Sequence, residues 1–160
     1  MKHLKIGDAA PSFEAKDQDG NRIKLEDYKG KKVVIYFYPK DDTPGCTAQA
    51  CNLRDNYDAI LKEGITILGV SGDGEKMHQK FITKYELPFT LIADEEKEVI
   101  NTYGVWGEKK FMGRMYDGIH RTTFLLDEDH SIVGIIEKPK TKEHTQEILE
   151  IYQKNALVRK

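Results

Sequence analysis

The run Lys32-Val-Val-Ile-Tyr-Phe-Tyr38 is almost wholly β-branched or aromatic, as a strand buried on both faces requires. Pro39 ends it, and Asp41-Asp-Thr-Pro-Gly45 supplies a cluster of turn residues. Apolar residues then recur at helical spacing (Ala50, Leu53, Tyr57, Ile60, Leu61), which predicts a helix from about 46 to 62 with Gly64 as its stop. A second strand pattern, Ile65-Thr-Ile-Leu-Gly-Val70, follows at once. Strand, helix and strand at this spacing form a βαβ unit, so the two strands run parallel in a sheet covered by helices.

The rest of the chain extends that sheet. Asp19-Gly20 between Phe13-Glu-Ala15 and Arg22-Ile-Lys-Leu25 predicts a small N-terminal β-hairpin. Further helices are expected over 75–85 and near 95–103, the latter capped by Asp94 with Glu95 and Glu96 at its positive end. The apolar piece Phe89-Thr-Leu-Ile92 lies between them. Residues 104–119, with four glycines among Trp106, Phe111, Met112, Met115 and Tyr116, read as an irregular stretch packed by its own side chains, with Lys109, Lys110 and Arg114 on a solvated face. Arg121–Asp127 and Ser131–Ile136 form an antiparallel hairpin, and a C-terminal helix covers about 142–154. This order, βαβ then ββα, is that of an α/β, thioredoxin-like fold. It has a central mixed sheet flanked by helices, an N-terminal hairpin and a helix-strand insertion over 75–103. No repeat or linker divides the chain, so residues 1–160 are one domain.

Composition narrows the function. Twenty-five basic and 27 acidic residues leave a net charge of −2, and they are scattered rather than blocked, which gives no footprint for nucleic acid or an anionic membrane. The first residues show no apolar segment of signal-peptide type, and no apolar run reaches membrane-spanning length, so a cytoplasmic protein is expected. In a reducing compartment, two cysteines point toward chemistry more than toward a permanent bridge.

The chain's two cysteines are Cys46 and Cys51, and both fall in the helix behind the first strand. The first turn of a helix favours negative charge, so a thiol at Cys46 is biased toward the nucleophilic thiolate. On one regular helix, five residues of separation put the two Cα atoms roughly 8 to 9 Å apart. A disulfide needs Cα atoms within about 7 Å, so joining them requires the first turns to unwind. A zinc site would need two more ligands, and His3, His78, His120, His130 and His144 lack the close pairing of zinc motifs; no metal or other cofactor is expected.

Pro39, Thr43 and Cys46 match the Pro-x-x-x-Thr-x-x-Cys motif of peroxiredoxins. Gly45-Cys-Thr-Ala-Gln49-Ala-Cys51, Phe81–Phe89 and Tyr116-Asp-Gly-Ile-His-Arg121-Thr-Thr-Phe124 extend the likeness over nearly the whole chain, which resembles the Q-type branch, the bacterioferritin comigratory protein family. The resemblance implies a thiol peroxidase acting on hydrogen peroxide and organic hydroperoxides. In it Cys46 is the peroxidatic and Cys51 the resolving residue, and thioredoxin, or alternatively glutaredoxin, restores the dithiol. It also implies that Arg121 holds the thiolate and polarises the peroxide, while the Thr43 hydroxyl and the N–H groups of Gly45 and Cys46 stabilise developing negative charge. Pro39 shields the sulfur. Gln49 stands where many peroxiredoxins carry a glutamate; its carbonyl can orient Arg121 without adding charge. The chain lacks the C-terminal extension and distant resolving cysteine of two-cysteine dimers, so a monomer is expected.

Two other classes compete. A thiol-disulfide oxidoreductase shares the fold but carries Cys-x-x-Cys at the helix start, against the four-residue gap here. A redox sensor or holdase would use Cys46 oxidation as a signal instead of turnover. His120, beside Arg121, is the histidine nearest the expected site in sequence.

Overall fold

The computed structural model describes residues 4–158, so His3 lies outside them. Its centre is β3 (Lys32–Phe37), in a five-stranded mixed sheet with β4 (Ile65–Ser71), β5 (Thr90–Ala93), β8 (Thr122–Leu126) and β9 (Ile132–Ile136), in the order β5-β4-β3-β8-β9. β3 pairs in parallel with β4 and antiparallel with β8, which makes the sheet mixed as expected. The N-terminal hairpin is β1 (Glu14–Lys16) with β2 (Arg22–Lys24), followed by one turn of 3-10 helix at Leu25–Tyr28.

Alternation along β3 divides its side chains between two cores. Val34 and Tyr36 join Cys46, Ala50 and Leu53 of α1 (Pro44–Asp55), Ile60 of α2 (Tyr57–Lys62), Phe81 of α3 (Glu75–Tyr85) and Ile148 and Tyr152 of α5 (His144–Val158). Val33, Ile35 and Phe37 face the other way, against Val99 and Ile100 of α4 (Glu98–Thr102), Tyr103, Phe124 and Leu126. That double burial is why the strand reads as a continuous apolar run.

Three expectations need correction. The helix expected over 46–62 begins two residues earlier and is interrupted at Asn56, whose side-chain amide donates to the Asn52 carbonyl at 2.8 Å and competes with the helical ladder. The helix expected from 95 starts only at Glu98, because residues 94–97 form a turn that ends with Lys97 at φ +59°. Asp94 still caps it, accepting from the Ile100 N–H at 2.8 Å. Residues 106–119 are regular: β6 (Trp106–Phe111) and β7 (Arg114–Ile119) form an antiparallel hairpin around Met112-Gly113, both at positive φ. Four of its apolar residues are exposed rather than packed: Phe111, Met112, Met115 and Tyr116. Lys109, conversely, is half-buried and donates to the Ile119 carbonyl at 2.9 Å.

His144 is fully buried at the start of α5, with Nδ1 3.1 Å from Glu147 Oε1 and Nε2 3.0 Å from Thr123 Oγ1. A carboxylate only accepts, so Nδ1 donates to it; in the neutral ring Nε2 then accepts from the Thr123 hydroxyl. Burial lowers the pKa of His144 from the ordinary histidine value, against the opposing pull of Glu147. Because the folded value is depressed, the unfolded chain takes up the proton first on acidification. The residue's stabilising contribution is therefore present above about pH 6.5 and lost below it. The urea midpoint of the wild type should exceed that of His144→Gln at neutral to mildly alkaline pH, with the gap narrowing as the pH falls below the histidine range. A gap that widens toward acid would contradict this sign.

Candidate active site

The antiparallel register of β3 and β8 sets Phe37 opposite Thr122, so the residue just before β8 sits beside the point where β3 gives way to α1. That residue is Arg121. Its Nη2 donates to Cys46 Sγ at 3.2 Å and its Nη1 to Gln49 Oε1 at 2.7 Å. One guanidinium thus spans a full turn of α1, holding the sulfur with one arm of its fork and the glutamine carbonyl with the other. Gly45 makes the approach possible: a Cβ there would lie 3.2 Å from Arg121 Nη2.

Cys46 is the third residue of α1 and is only 1 % exposed. Thr43 precedes the helix as its N-cap residue in extended conformation, and Pro44 opens the first turn, where a missing N–H costs nothing. The Thr47 N–H already bonds the Thr43 carbonyl, which leaves the N–H groups of Gly45 and Cys46 without an acceptor inside the helix. Those two donors and the Arg121 cation all favour negative charge at Sγ. Of the two partners open to the Thr43 hydroxyl, the sulfur or a peroxide oxygen, the sulfur is not the one it donates to here, since it donates to the Lys40 carbonyl at 2.9 Å. Its lone pairs remain available to a peroxide O–H. Pro39 is half-buried in the loop ahead of the helix.

Cys51, half-buried, lies on the same helix, and both cysteines are free thiols. With both on one regular helix, the sulfurs are held apart by geometry, as the spacing predicts. Tyr36 completes the inner wall. Its ring stacks on Tyr38 at 5.3 Å, its pKa is raised well above 10 by burial and then by the charge of Cys46, and its hydroxyl has no hydrogen-bond partner among the described residues. The Gln49 amide nitrogen is likewise unpartnered.

A cavity of about 570 Å³ opens beside Arg121, lined in part by Tyr103, Lys109, His120, Arg121, Phe124 and Ile135. Its lining mixes apolar side chains such as Phe124 and Ile135 with the charged Lys109, Arg121, Glu137 and Lys138. His120 is exposed at this cavity, and the side-chain hydrogen bond to Cys46 comes from Arg121 instead. Sequence reasoning missed Lys109, whose pKa is lowered by burial and by the neighbouring Arg121 cation. The alternation that puts Lys109 and Tyr116 on one hairpin face would have found it, had the hairpin been recognised. It also missed the network on the far side of the loop. Asp41, 3 % exposed, accepts from the Tyr38 hydroxyl at 2.6 Å and lies 2.6 Å from Nδ1 of the fully buried His78.

The AhpC/TSA family model matches residues 6–135. Peroxiredoxin Bcp of Escherichia coli K12 is 47% identical over 156 residues, covering 98% of this chain and 100% of that protein. Peroxiredoxin Bcp of Bacillus subtilis 168 is 44% identical over 147 residues, covering 92% of this chain and 94% of its own. Among solved structures, a bacterioferritin comigratory protein of Xanthomonas campestris, described for its alkyl peroxide reduction activity, superposes with a TM-score of 0.84 at 33% identity, covering 90% and 92% of the two chains. A cysteine-to-serine variant of Xylella fastidiosa PrxQ superposes with a TM-score of 0.89 at 29% identity, over 98% and 99%.

Proposed function

Because this chain belongs to the AhpC/TSA family, in its Q-type peroxiredoxin branch, and is a thiol peroxidase, we propose that Cys46 is its peroxidatic residue and Cys51 its resolving residue. The observation that carries the assignment is the 3.2 Å contact from Arg121 to a sulfur in the first turn of a helix. The Cys46 thiolate attacks one peroxide oxygen, the O–O bond breaks, and the other oxygen leaves as hydroxide or alkoxide and takes up a proton. Arg121 and the N–H groups of Gly45 and Cys46 favour the charge first on sulfur and then on the departing oxygen. The Thr43 oxygen accepts from the hydroperoxide O–H and fixes its approach, and Pro39 limits access by water. Gln49 holds Arg121 in line.

Cys46 is left as a sulfenic acid. After the first turns of α1 unwind, the Cys51 sulfur displaces water from it and forms the disulfide. The substrates are peroxides, and the reductant is of thioredoxin type; thioredoxin itself, or a glutaredoxin, reduces the bridge. We read organic hydroperoxides as well as hydrogen peroxide as substrates by likeness to the Xanthomonas campestris protein described for its alkyl peroxide reduction activity; the cavity beside Arg121 is lined by that residue and not by Cys46. We read the protein as a monomer working in the cytoplasm. Both cysteines of the cycle sit on one helix, and no helix among the described residues is long and apolar enough to cross a membrane. The burial of Cys46 argues against a general thiol-disulfide oxidoreductase, because a protein disulfide cannot reach it and a small peroxide can.

Intact mass after one equivalent of hydrogen peroxide tests the roles. Wild type should lose two hydrogens, and Cys51→Ser should gain one oxygen or form a disulfide-linked dimer. If Cys51→Ser instead loses two hydrogens within one chain, or turns over with thioredoxin as fast as wild type, Cys51 is not the resolving residue.

A further inference from the structure

The loop between β3 and α1 is fastened to α3 by a hydrogen-bond network that the reaction steps above do not use. His78, in the first half of α3, is fully buried and places Nε2 2.9 Å from the Ile92 carbonyl and Nδ1 2.6 Å from Asp41 Oδ2. A carbonyl only accepts, so Nε2 carries a proton, and one further proton lies between Nδ1 and Asp41. The pair is therefore neutral as a whole, whichever partner holds that proton. The Tyr38 hydroxyl donates to the other Asp41 oxygen at 2.6 Å, which favours the carboxylate with an imidazolium. The backbone N–H of Asp41 and the Ser71 hydroxyl both donate to Asp73 Oδ2, each at 2.8 Å.

The next residue is tied to the other end of the same helix. Asp42, at φ +58°, accepts from Lys84 Nζ at 2.8 Å and from the Tyr85 hydroxyl at 2.6 Å. Two consecutive loop residues, five and four positions ahead of Cys46, are thus held by α3 at points six to seven residues apart. Asp41, Asp73 and His78 bring their side-chain ligand atoms within 4.8 Å of one another, close enough for a metal ion. Both His78 nitrogens and the facing oxygens of the two aspartates are, however, occupied by protein partners. The cluster is built as a clamp.

We propose that Asp41 and His78 are positioning residues that hold the 39–43 loop against α3 and thereby set how readily the first turns of α1 open. With the clamp closed, Cys46 stays under Arg121, where it meets peroxide; with the clamp released, Cys46 moves toward Cys51. The inference rests on the roles given to the two cysteines under Proposed function. Weakening the clamp has opposite effects on the two chemical steps, because the first needs the closed loop and the second needs the open one.

The test follows both steps by rapid quench, thiol alkylation and mass spectrometry in wild type, His78→Gln, Asp41→Asn and their double variant. Lys84→Ala combined with Tyr85→Phe removes the solvent-exposed half of the clamp and serves if the buried variants fold poorly. Ile100→Ala, in the core on the opposite face of the sheet, controls for loss of stability. Formation of the Cys46 sulfenic acid should slow, and formation of the disulfide should accelerate, each by roughly tenfold in the single buried variants. The double variant should add little, as for partners in one contact. The Lys84 and Tyr85 variant should change both steps in the same directions, and Ile100→Ala should change neither. Unchanged rate constants in every clamp variant, with wild type oxidised at Cys46, overturn the clamp alone. First oxidation of wild type elsewhere than at Cys46 overturns the cysteine assignment and the clamp with it.

Discussion

Cys46→Ser should lose peroxide consumption by on the order of 10⁴-fold or more, the scale on which enzymes lose turnover when the attacking nucleophile is removed. A serine hydroxyl is a weak nucleophile toward peroxide, whereas sulfur is polarisable and intrinsically far more nucleophilic. The fold should survive. Serine is nearly isosteric with cysteine, and although Cys46 belongs to the buried core, Arg121 already supplies a donor to its sulfur that a serine oxygen could accept from. Peroxide clearance measured with a thioredoxin system, alongside a thermal unfolding curve, separates lost chemistry from lost structure. A variant that clears peroxide at even a tenth of the wild-type rate would mean that the oxygen is transferred to another atom.

Arg121→Gln should slow oxidation by peroxide about 10²- to 10³-fold, the usual effect of deleting one preorganised donor that faces developing charge. Arg121→Lys should recover only part of that loss. A lysine brings a single ammonium, whereas the guanidinium donates to Cys46 through one nitrogen and to Gln49 through another. Without the fork the cation is no longer held in register with the sulfur. Stopped-flow measurement of the first oxidation step, under single-turnover conditions, isolates this effect from reduction by thioredoxin. If lysine restores the full rate, charge alone matters and the Gln49 contact is dispensable for catalysis.

Much of the fold was legible because local and tertiary preferences agree. The strand at 32–37 carries enough β-branched and aromatic residues to be recognised from sequence, and α3 spans Glu75–Tyr85 as expected. The exceptions have physical causes. Asn56 breaks α1 from α2 through a side-chain bond to its own helix, which no periodicity of apolar residues reveals. Lys97 in left-handed conformation delays α4, although the capping carboxylate of Asp94 was correctly read. The hairpin at 106–119 escaped notice because both its faces carry apolar and charged residues, so the two-residue alternation is blurred, and Met112 is an unusual first residue for a turn at positive φ.

The site was legible along the chain and not across it. Cys46, Cys51, Thr43, Gly45 and Gln49 lie within nine residues, so their grouping follows from one turn and one helix. Arg121, 75 residues from Cys46, could be brought to it only by family resemblance until the pairing of β3 with β8 was known. The contact between Asp41 and His78, 37 residues apart, has no sequence signal of its own: an aspartate in a turn and a histidine on a helix both read as surface residues.

The interruption at Asn56 also bounds the mechanical reach of oxidation. A helix that ran unbroken from Pro44 to Lys62 would transmit unwinding of its first turns down one cooperative ladder, loosening Ile60 and the packing beneath β4. Here the ladder is severed between the cysteines and that anchor, so α1 can be erased and rewritten in each cycle while α2 stays seated. The break works like the perforation in a sheet of paper: it fixes in advance where the tear stops.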